Sequence, residues 1–389
     1  MEDQVLRGIR HIKFDFELLD TDHLPRFPTH EESETLKDLF PTQFGVSVVG
    51  PFLQILVREL PPHPWPVTVA GLPAYLSTEP TTLPWQIGHP GPPRKRDLCQ
   101  YDAKRTITKE MYLAIIEYFE TRAISIGEVM WFFGCLRIRV PETTDINCLP
   151  GILCQVATFY ITDAIQSPTD AAFRVKDPKH LLPDDSTYVP LLRPGVMVSS
   201  TDLLTTAGVL VKNSQNESFM TVASHGFPLE DTDVHHPDPD SPAIGEVVRR
   251  IGSTDIALVK LHNNILFQNH TFQNLLEPDG VILSGISDPF AIKPFSAIIM
   301  DNPFTGLIDG QFLTKYMTKL YSTDPDEHLW IVHTWLWYGQ QAIPVAGSGG
   351  SAIWDTNGKV LSFFRLLNSE GIGIGVAASE LVSKGFTLV

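Results

Sequence analysis

The chain has 389 residues, more than one typical domain needs and enough for two. Apolar residues make up 43% of it and charged residues 19%, which supplies two packed cores and excludes a disordered chain. A net charge of −16 sets the average surface against backbone phosphates and argues against a general nucleic-acid binder.

The opening segment MEDQVLRGIRHIKFDF scatters charges through its apolar residues and has no secretory core. No apolar run approaches the roughly 18–20 residues that span a bilayer. The expectation is a soluble, cytoplasmic protein with no membrane contact. Glu31 to Phe40 reads as a short helix stopped by Pro41, because proline cannot continue the hydrogen-bond ladder. Leu60 to Pro93, proline-rich with Trp65 and Trp85, reads as loop or extended chain, and the basic run Arg94-Lys95-Arg96 as a solvated surface. Thr108 to Arg122 is a better helix, with Met111, Ile115 and Phe119 four apart on one face. The four cysteines (Cys99, Cys135, Cys148 and Cys154) show no C-x-x-C spacing, so they predict no zinc site. Residues 1–185 are expected to form an α+β domain that binds a protein partner or regulates the rest. Pro and Asp then thicken between Lys176 and Pro194, the best candidate for a junction.

After the junction the texture changes. Thr206 to Lys212 and Phe219 to Ser224 are apolar and β-branched runs around a polar turn, the mark of a hairpin. Further strand-like runs follow at Ile244–Ile251, Ile256–Leu261, Val281–Leu283, Ala297–Met300, Trp330–Trp337, Ser351–Trp354, Lys359–Phe364 and Gly373–Ala377. Many short strands with Gly, Pro and Asn between them predict an all-β sandwich or barrel over residues 191–389.

Three segments there carry the chemistry. In Thr221-Val-Ala-Ser-His225-Gly a histidine closes an apolar strand. In Ser253-Thr-Asp255-Ile-Ala-Leu an aspartate opens one. In Ala346-Gly347-Ser-Gly-Gly350-Ser-Ala-Ile-Trp-Asp355-Thr-Asn-Gly358 a glycine-rich loop precedes a hairpin. In this order they resemble the His, Asp and nucleophile motifs of trypsin-like serine proteases, and the closing Gly371-Ile-Gly-Ile-Gly375 resembles the compact HtrA-like branch. The resemblance covers roughly the last 190 residues. It implies a chymotrypsin-like double β-barrel and a peptide or protein substrate. The site it implies has His225 as general base, Asp255 as its orienting partner and Ser348 as nucleophile, with Gly347 and Gly349 at the oxyanion hole. It implies no cofactor and no metal. Ser362 and Phe363, on the strand that resembles the substrate-pairing one, and Gly373 are expected to bind substrate. His333, on one strand face with Trp335 and Trp337, is a further pocket candidate that would favour an acidic residue.

The register of the loop stays open. Counting back from Asn357 and Gly358 at the family's spacing lands on Gly349, which has no side chain to attack a carbonyl. Reading Ala346-Gly-Ser348-Gly-Gly against the motif makes Ser348 the nucleophile at the cost of one extra residue, which a bulge can absorb. Ser351 is a third possibility but lacks a glycine after it. The sequence therefore supports two functions: a Ser-His-Asp endopeptidase, or a pseudoprotease that keeps the barrels and binds a protein ligand without cutting it. The loop Asp231 to Asp240 gathers histidines and aspartates but fits no coordination spacing and reads as a solvated acidic loop.

Overall fold

The computed structural model describes the chain except for residues 7–8, 22–23, 38, 50–51, 63–65, 79–88, 91–106, 133–134, 163–189, 274–277, 320–327, 338–345 and 368–371. The chain divides into two compact units. One is Met1–Ala164 with Lys293–Phe295 and Tyr338–Ala342, and the other is the remainder from Ile165 to Val389. Most of the proline-rich junction and the basic run at 94–96 lie outside the described residues. No described helix is long and apolar enough to cross a membrane.

The N-terminal unit is α+β. Its elements are β1 (Glu2–Leu6), β2 (Ile9–Lys13), α1 (His30–Leu36), β3 (Gln43–Val49), β4 (Phe52–Val57), β5 (Pro66–Val69), β6 (Leu72–Ser77), β7 (His89–Pro90), α2 (Lys109–Glu120), β8 (Glu128–Phe132), β9 (Cys135–Arg139), β10 (Ile152–Leu153) and β11 (Val156–Ile161). Six of the strands form one sheet in the order β1-β2-β5-β6-β4-β3. Elsewhere β9 pairs with β8 antiparallel and with β11 parallel. Thr29 and Glu32 close a reciprocal capping box that fixes the start of α1, and the helix ends at Leu36, short of the predicted Phe40. Helix α2 begins behind its Thr108 cap and buries Tyr112, Ile115, Ile116 and Phe119, a face turned slightly from the predicted one. The segment read as loop from Leu60 onward contains the β5–β6 hairpin. Of its two prolines, Pro66 stands at the first position of β5, where a missing N–H costs least, and Pro73 is the second residue of β6.

Among its described residues the C-terminal unit holds β-strands and one short α-helix. Its first half comprises β12 (Met197–Ser199), β13 (Leu204–Lys212), β14 (Ser218–Ala223), β15 (Asp233–His235), β16 (Ala243–Arg250) and β17 (Ile256–Leu261). These pair in the circuit β12-β15-β16-β17-β14-β13, and β13 returns to β12, which closes a six-stranded barrel. Its second half comprises β18 (Gly285–Ile286), β19 (Ala297–Met300), β20 (Ile308–Thr318), β21 (Trp330–Trp337), β22 (Ala352–Asp355), β23 (Lys359–Leu367), β24 (Gly373–Ala377), α3 (Ser379–Ser383) and β25 (Thr387–Leu388). Here the circuit is β20-β19-β22-β23-β24-β21 and β21 returns to β20, a second closed barrel. Closure pairs the edges that an open sheet would leave bare. Val196, Val198, Met220, Val222, Val234 and Val259 fill the first barrel. Phe312, Val332, Trp335, Ile353, Phe364 and Val376 are buried in the second half. The predicted strand at Val281–Leu283 is instead a single bridge from Ile282 to His270. Strand β20, IDGQFLTKYMT, went unpredicted because its charged and polar residues interrupt the apolar run.

Strand β13 carries a bulge between Ala207 and Leu210. A bulge leaves backbone groups without ladder partners, and Asn269 supplies them. Its Oδ1 accepts from Leu210 N–H and its Nδ2 donates to Leu210 O, each at 2.8 Å. Leu210 O keeps a second donor in Val389 N–H at 3.2 Å, so alanine at 269 orphans the Leu210 N–H, and Asn269→Ala is expected to destabilise the protein by about 1–3 kcal/mol in urea titration. A loss under about 0.5 kcal/mol would show that the bulge does not depend on this side chain.

Candidate active site

His225 stands in a 3₁₀ turn, Ser224–Gly226, directly after β14. Asp255 stands in the turn that opens β17. The two turns are tied by backbone, with Ser224 N–H donating to Asp255 O at 2.7 Å. The carboxylate then takes two bonds from the histidine. Oδ1 accepts from His225 N–H at 2.8 Å, and Oδ2 lies 2.7 Å from Nδ1. Asp255 adopts φ +67°, a left-handed conformation that costs any non-glycine residue energy, although aspartate tolerates it better than most. The pair of bonds from His225 holds it there. Burial pushes the Asp255 carboxyl up. The nearby imidazole, its hydrogen bonds and the Arg365 guanidinium outweigh burial and hold it below the ordinary range. An ionised Asp255 makes Nδ1 the protonated nitrogen and turns Nε2 outward. Arg250, at the end of β16, clamps the same turn by donating to Ser224 O at 3.0 Å and Ser224 Oγ at 2.7 Å.

The glycine-rich loop is brought to this pair by hydrogen bonds from both barrels. Gly349 O accepts from Thr206 N–H at 3.1 Å and from the Thr205 hydroxyl at 2.6 Å. Gly347 O accepts from the Thr206 hydroxyl at 2.9 Å. On the other side Gly350 N–H donates to Phe364 O, and Phe364 N–H donates to Ser351 O, each at 2.9 Å. Gly347 and Gly350 have φ of +96° and +86°. A β-carbon at Gly350 would lie 2.6 Å from Thr206 O, and one at Gly347 would lie 2.4 Å from the Phe304 ring. Both positions need glycine for space as well as for conformation.

Position 349 is the one that meets the histidine. A β-carbon there would lie 3.0 Å from His225 Nε2 and 2.7 Å from its Cε1. Ser348 is fully buried, and its hydroxyl faces Asn302 Oδ1 at 3.4 Å. The Ser351 hydroxyl is spent on Ser348 O at 2.7 Å. Among the described residues no hydrogen bond is donated by the N–H of Gly347 or of Gly349.

The strand that resembles the substrate-pairing one is β23, and the residues named on it are inside the barrel. Ser362, Phe363 and Phe364 are buried, the Ser362 hydroxyl donates to Val376 O at 2.5 Å, and Phe363 packs close to Gly208. With the Phe364 backbone committed to Gly350 and Ser351, the strand has described neighbours on both sides as far as Phe364. Beyond Phe363, the last residue that β22 pairs, β24 continues to pair Leu366 and Leu367. Gly373 starts β24 opposite Leu367 and Trp335, buried in the sheet. Arg365, Asn302, Thr205 and Thr206 complete the site and belong to no motif, so nothing in the sequence marked them.

His333 lies inside the second barrel, fully buried between the rings of Phe312 and Trp335 at 5.2 Å and 6.3 Å. No described group completes a hydrogen bond with either ring nitrogen, although the Pro289 carbonyl lies near enough to favour the protonated form. Burial, with the Lys315 ammonium opposite, lowers its proton affinity to about 3. In the loop at 231–240, His235 Nδ1 pairs with Ser241 O and His236 Nδ1 with Met197 O, and the described residues hold no metal-binding cluster.

The sign for His333 follows from linkage. As pH falls below about 6.5 the unfolded chain takes up a proton that the folded chain refuses until about pH 3. Stability therefore falls on acidification across that window, by up to about 1.4 kcal/mol per pH unit. His333→Leu is expected to flatten the dependence of unfolding free energy on pH between 6.5 and 3. An unaltered slope would place that sensitivity on other groups.

No protein-family model matches the chain, and no curated protein matches it in sequence. Solved structures do. A glutamic-acid-specific serine protease, described as using a novel histidine triad in substrate binding, is 12% identical over 51% of this chain and 100% of its own, with a TM-score of 0.40. Protease A of Thermobifida fusca is 14% identical over 51% and 98%, with a TM-score of 0.39. The active form of the Rv3671c protease of M. tuberculosis is 17% identical over 49% and 78%, with a TM-score of 0.33. The architecture rests on this chain's own pairings: two closed six-stranded barrels preceded by an α+β unit, a double β-barrel resembling the chymotrypsin-like fold.

Proposed function

We propose that the C-terminal unit is a protease-fold module that binds an extended polypeptide and does not hydrolyse it. The observation that carries this reading is at position 349, where a β-carbon would lie 3.0 Å from His225 Nε2 and the residue is glycine. Acyl transfer needs a nucleophile within hydrogen-bond reach of its base. The endopeptidase reading requires the Ser348 hydroxyl to stand there, and that hydroxyl faces Asn302 instead. Without a nucleophile, a triad site keeps only the small rate advantage of binding and oxyanion contacts.

Binding survives the loss of the nucleophile. An extended peptide can add to a strand edge through its main chain, and β23 runs on to Leu367 beyond Phe363, the last residue that β22 pairs. The backbone N–H groups of Gly347 and Gly349, which donate to no acceptor among the described residues, are further donors to a peptide carbonyl.

A fluorophosphonate probe tests the reading. The natural chain and His225→Ala are expected to remain unlabelled, whereas Gly349→Ser is expected to label at least about tenfold above them. That labelling should vanish when His225→Ala is added. Labelling of the natural chain that disappears in Ser348→Ala would restore the endopeptidase.

A further inference from the structure

Three charged side chains act on the two turns that carry His225 and Asp255. Asp255 comes from the turn before β17, Arg250 reaches the neighbouring Ser224 from β16, and Arg365 comes from β23. Asp255 spends both carboxylate oxygens on His225. Arg365 follows Phe364, the residue whose N–H and carbonyl are fastened to the glycine loop. Its Nη1 donates to Ser253 O at 3.2 Å, in the turn that carries Asp255, and this contact is part-buried. The cation is therefore held on the turn that carries the carboxylate, by its backbone and by a hydrogen bond.

A fixed cation there changes what the imidazole can do. An imidazole beside a carboxylate gains from being protonated, and a second cation on that carboxylate removes part of the gain. A triad histidine must become imidazolium while it takes the proton of the attacking hydroxyl, and its aspartate exists to stabilise that charge. In this chain the Arg365 guanidinium acts on the same aspartate through space. Arg250 adds a second positive charge on the same turn, and its bonds go to Ser224 and Pro228 carbonyls and the Ser224 hydroxyl.

We propose that Arg365 is a positioning residue that keeps the Asp255–His225 pair in its carboxylate and neutral-imidazole form. The inference rests on the non-hydrolytic reading and deepens it. The site is then held out of catalysis twice, by the glycine at 349 and by the cation at 365.

The test separates charge from hydrogen bonding. Arg365→Gln keeps a donor for Ser253 O and loses the charge, while Arg365→Lys keeps the charge. The His225 imidazole is titrated by NMR in the natural chain and in both variants, with its signal assigned by His225→Gln. The midpoint is expected to move upward in Arg365→Gln and to stay near the natural value in Arg365→Lys. A midpoint that stays put or falls in Arg365→Gln, or that shifts equally in Arg365→Lys, would overturn the proposal. Should Arg365→Gln not fold by its melting curve, Arg365→Met is read in the same way. A second arm uses the Gly349→Ser chain, in which Arg365→Gln is expected to raise the rate of fluorophosphonate labelling several-fold. An equal or lower rate would remove the locking role. Failure of the non-hydrolytic reading shows as labelling of the natural chain, which the titration does not measure.

Discussion

The backbone carbonyl of Gly349 is the point on which the C-terminal unit turns. It accepts from Thr206 N–H and from the Thr205 hydroxyl on β13 of the first barrel, while the next two residues exchange hydrogen bonds with Phe364 on β23 of the second. Each barrel is closed on its own, so neither needs the other for its ladder. What joins them at the site is this short run of glycines and serines, and it can run so close to β13 and β14 only because it lacks a side chain at 350, and past Phe304 only because it lacks one at 347. His225 and Asp255 then face the loop because their own strands end there. The site is a consequence of how two closed sheets are fastened together.

The same fastening explains why a chain can lose a nucleophile and keep everything else. A serine hydroxymethyl at position 349 would contribute chemistry and one polar contact. The carbonyl that holds the barrels belongs to the backbone and is indifferent to the side chain. The Asp255–His225 pair is likewise secured from within, by two bonds between the partners and by Arg250 on the adjoining turn. A buried ionised aspartate with its partners in place is stable, and stripping away one partner is what costs. Nothing in that arrangement asks for turnover.

How much of this was legible depended on the residues. Strands β17, β19, β21 and β24 stand where the apolar runs placed them, because strand ends there coincide with glycine, proline or polar turns. Strand β20 was invisible, since Asp309, Gln311 and Lys315 break its pattern and only the closed circuit shows why it is a strand. His225, Asp255 and the glycine loop were found by motif. Spacing could not choose between Ser348 and Gly349, because that choice is a direction in space and not a count. The burial of Ser362 and Phe363 was hidden for a related reason. A strand of nine residues offers several registers, and the bonds between Phe364 and the loop fix which one it takes. Arg365 had no signal at all, being one arginine in an apolar strand.

The crowding of the glycine loop has a consequence for how its sequence can drift. Positions 347 and 350 are set by folding: a side chain at either would strike Phe304 or the backbone of β13 and β14. Position 349 is set by the imbalance between one imidazole and the space it has closed over. A lineage released from hydrolysis would be expected to vary at 349 and at 365 while keeping 347 and 350 unchanged. Return to activity would then begin with a serine at 349, and the histidine ring would have to give way as it arrives.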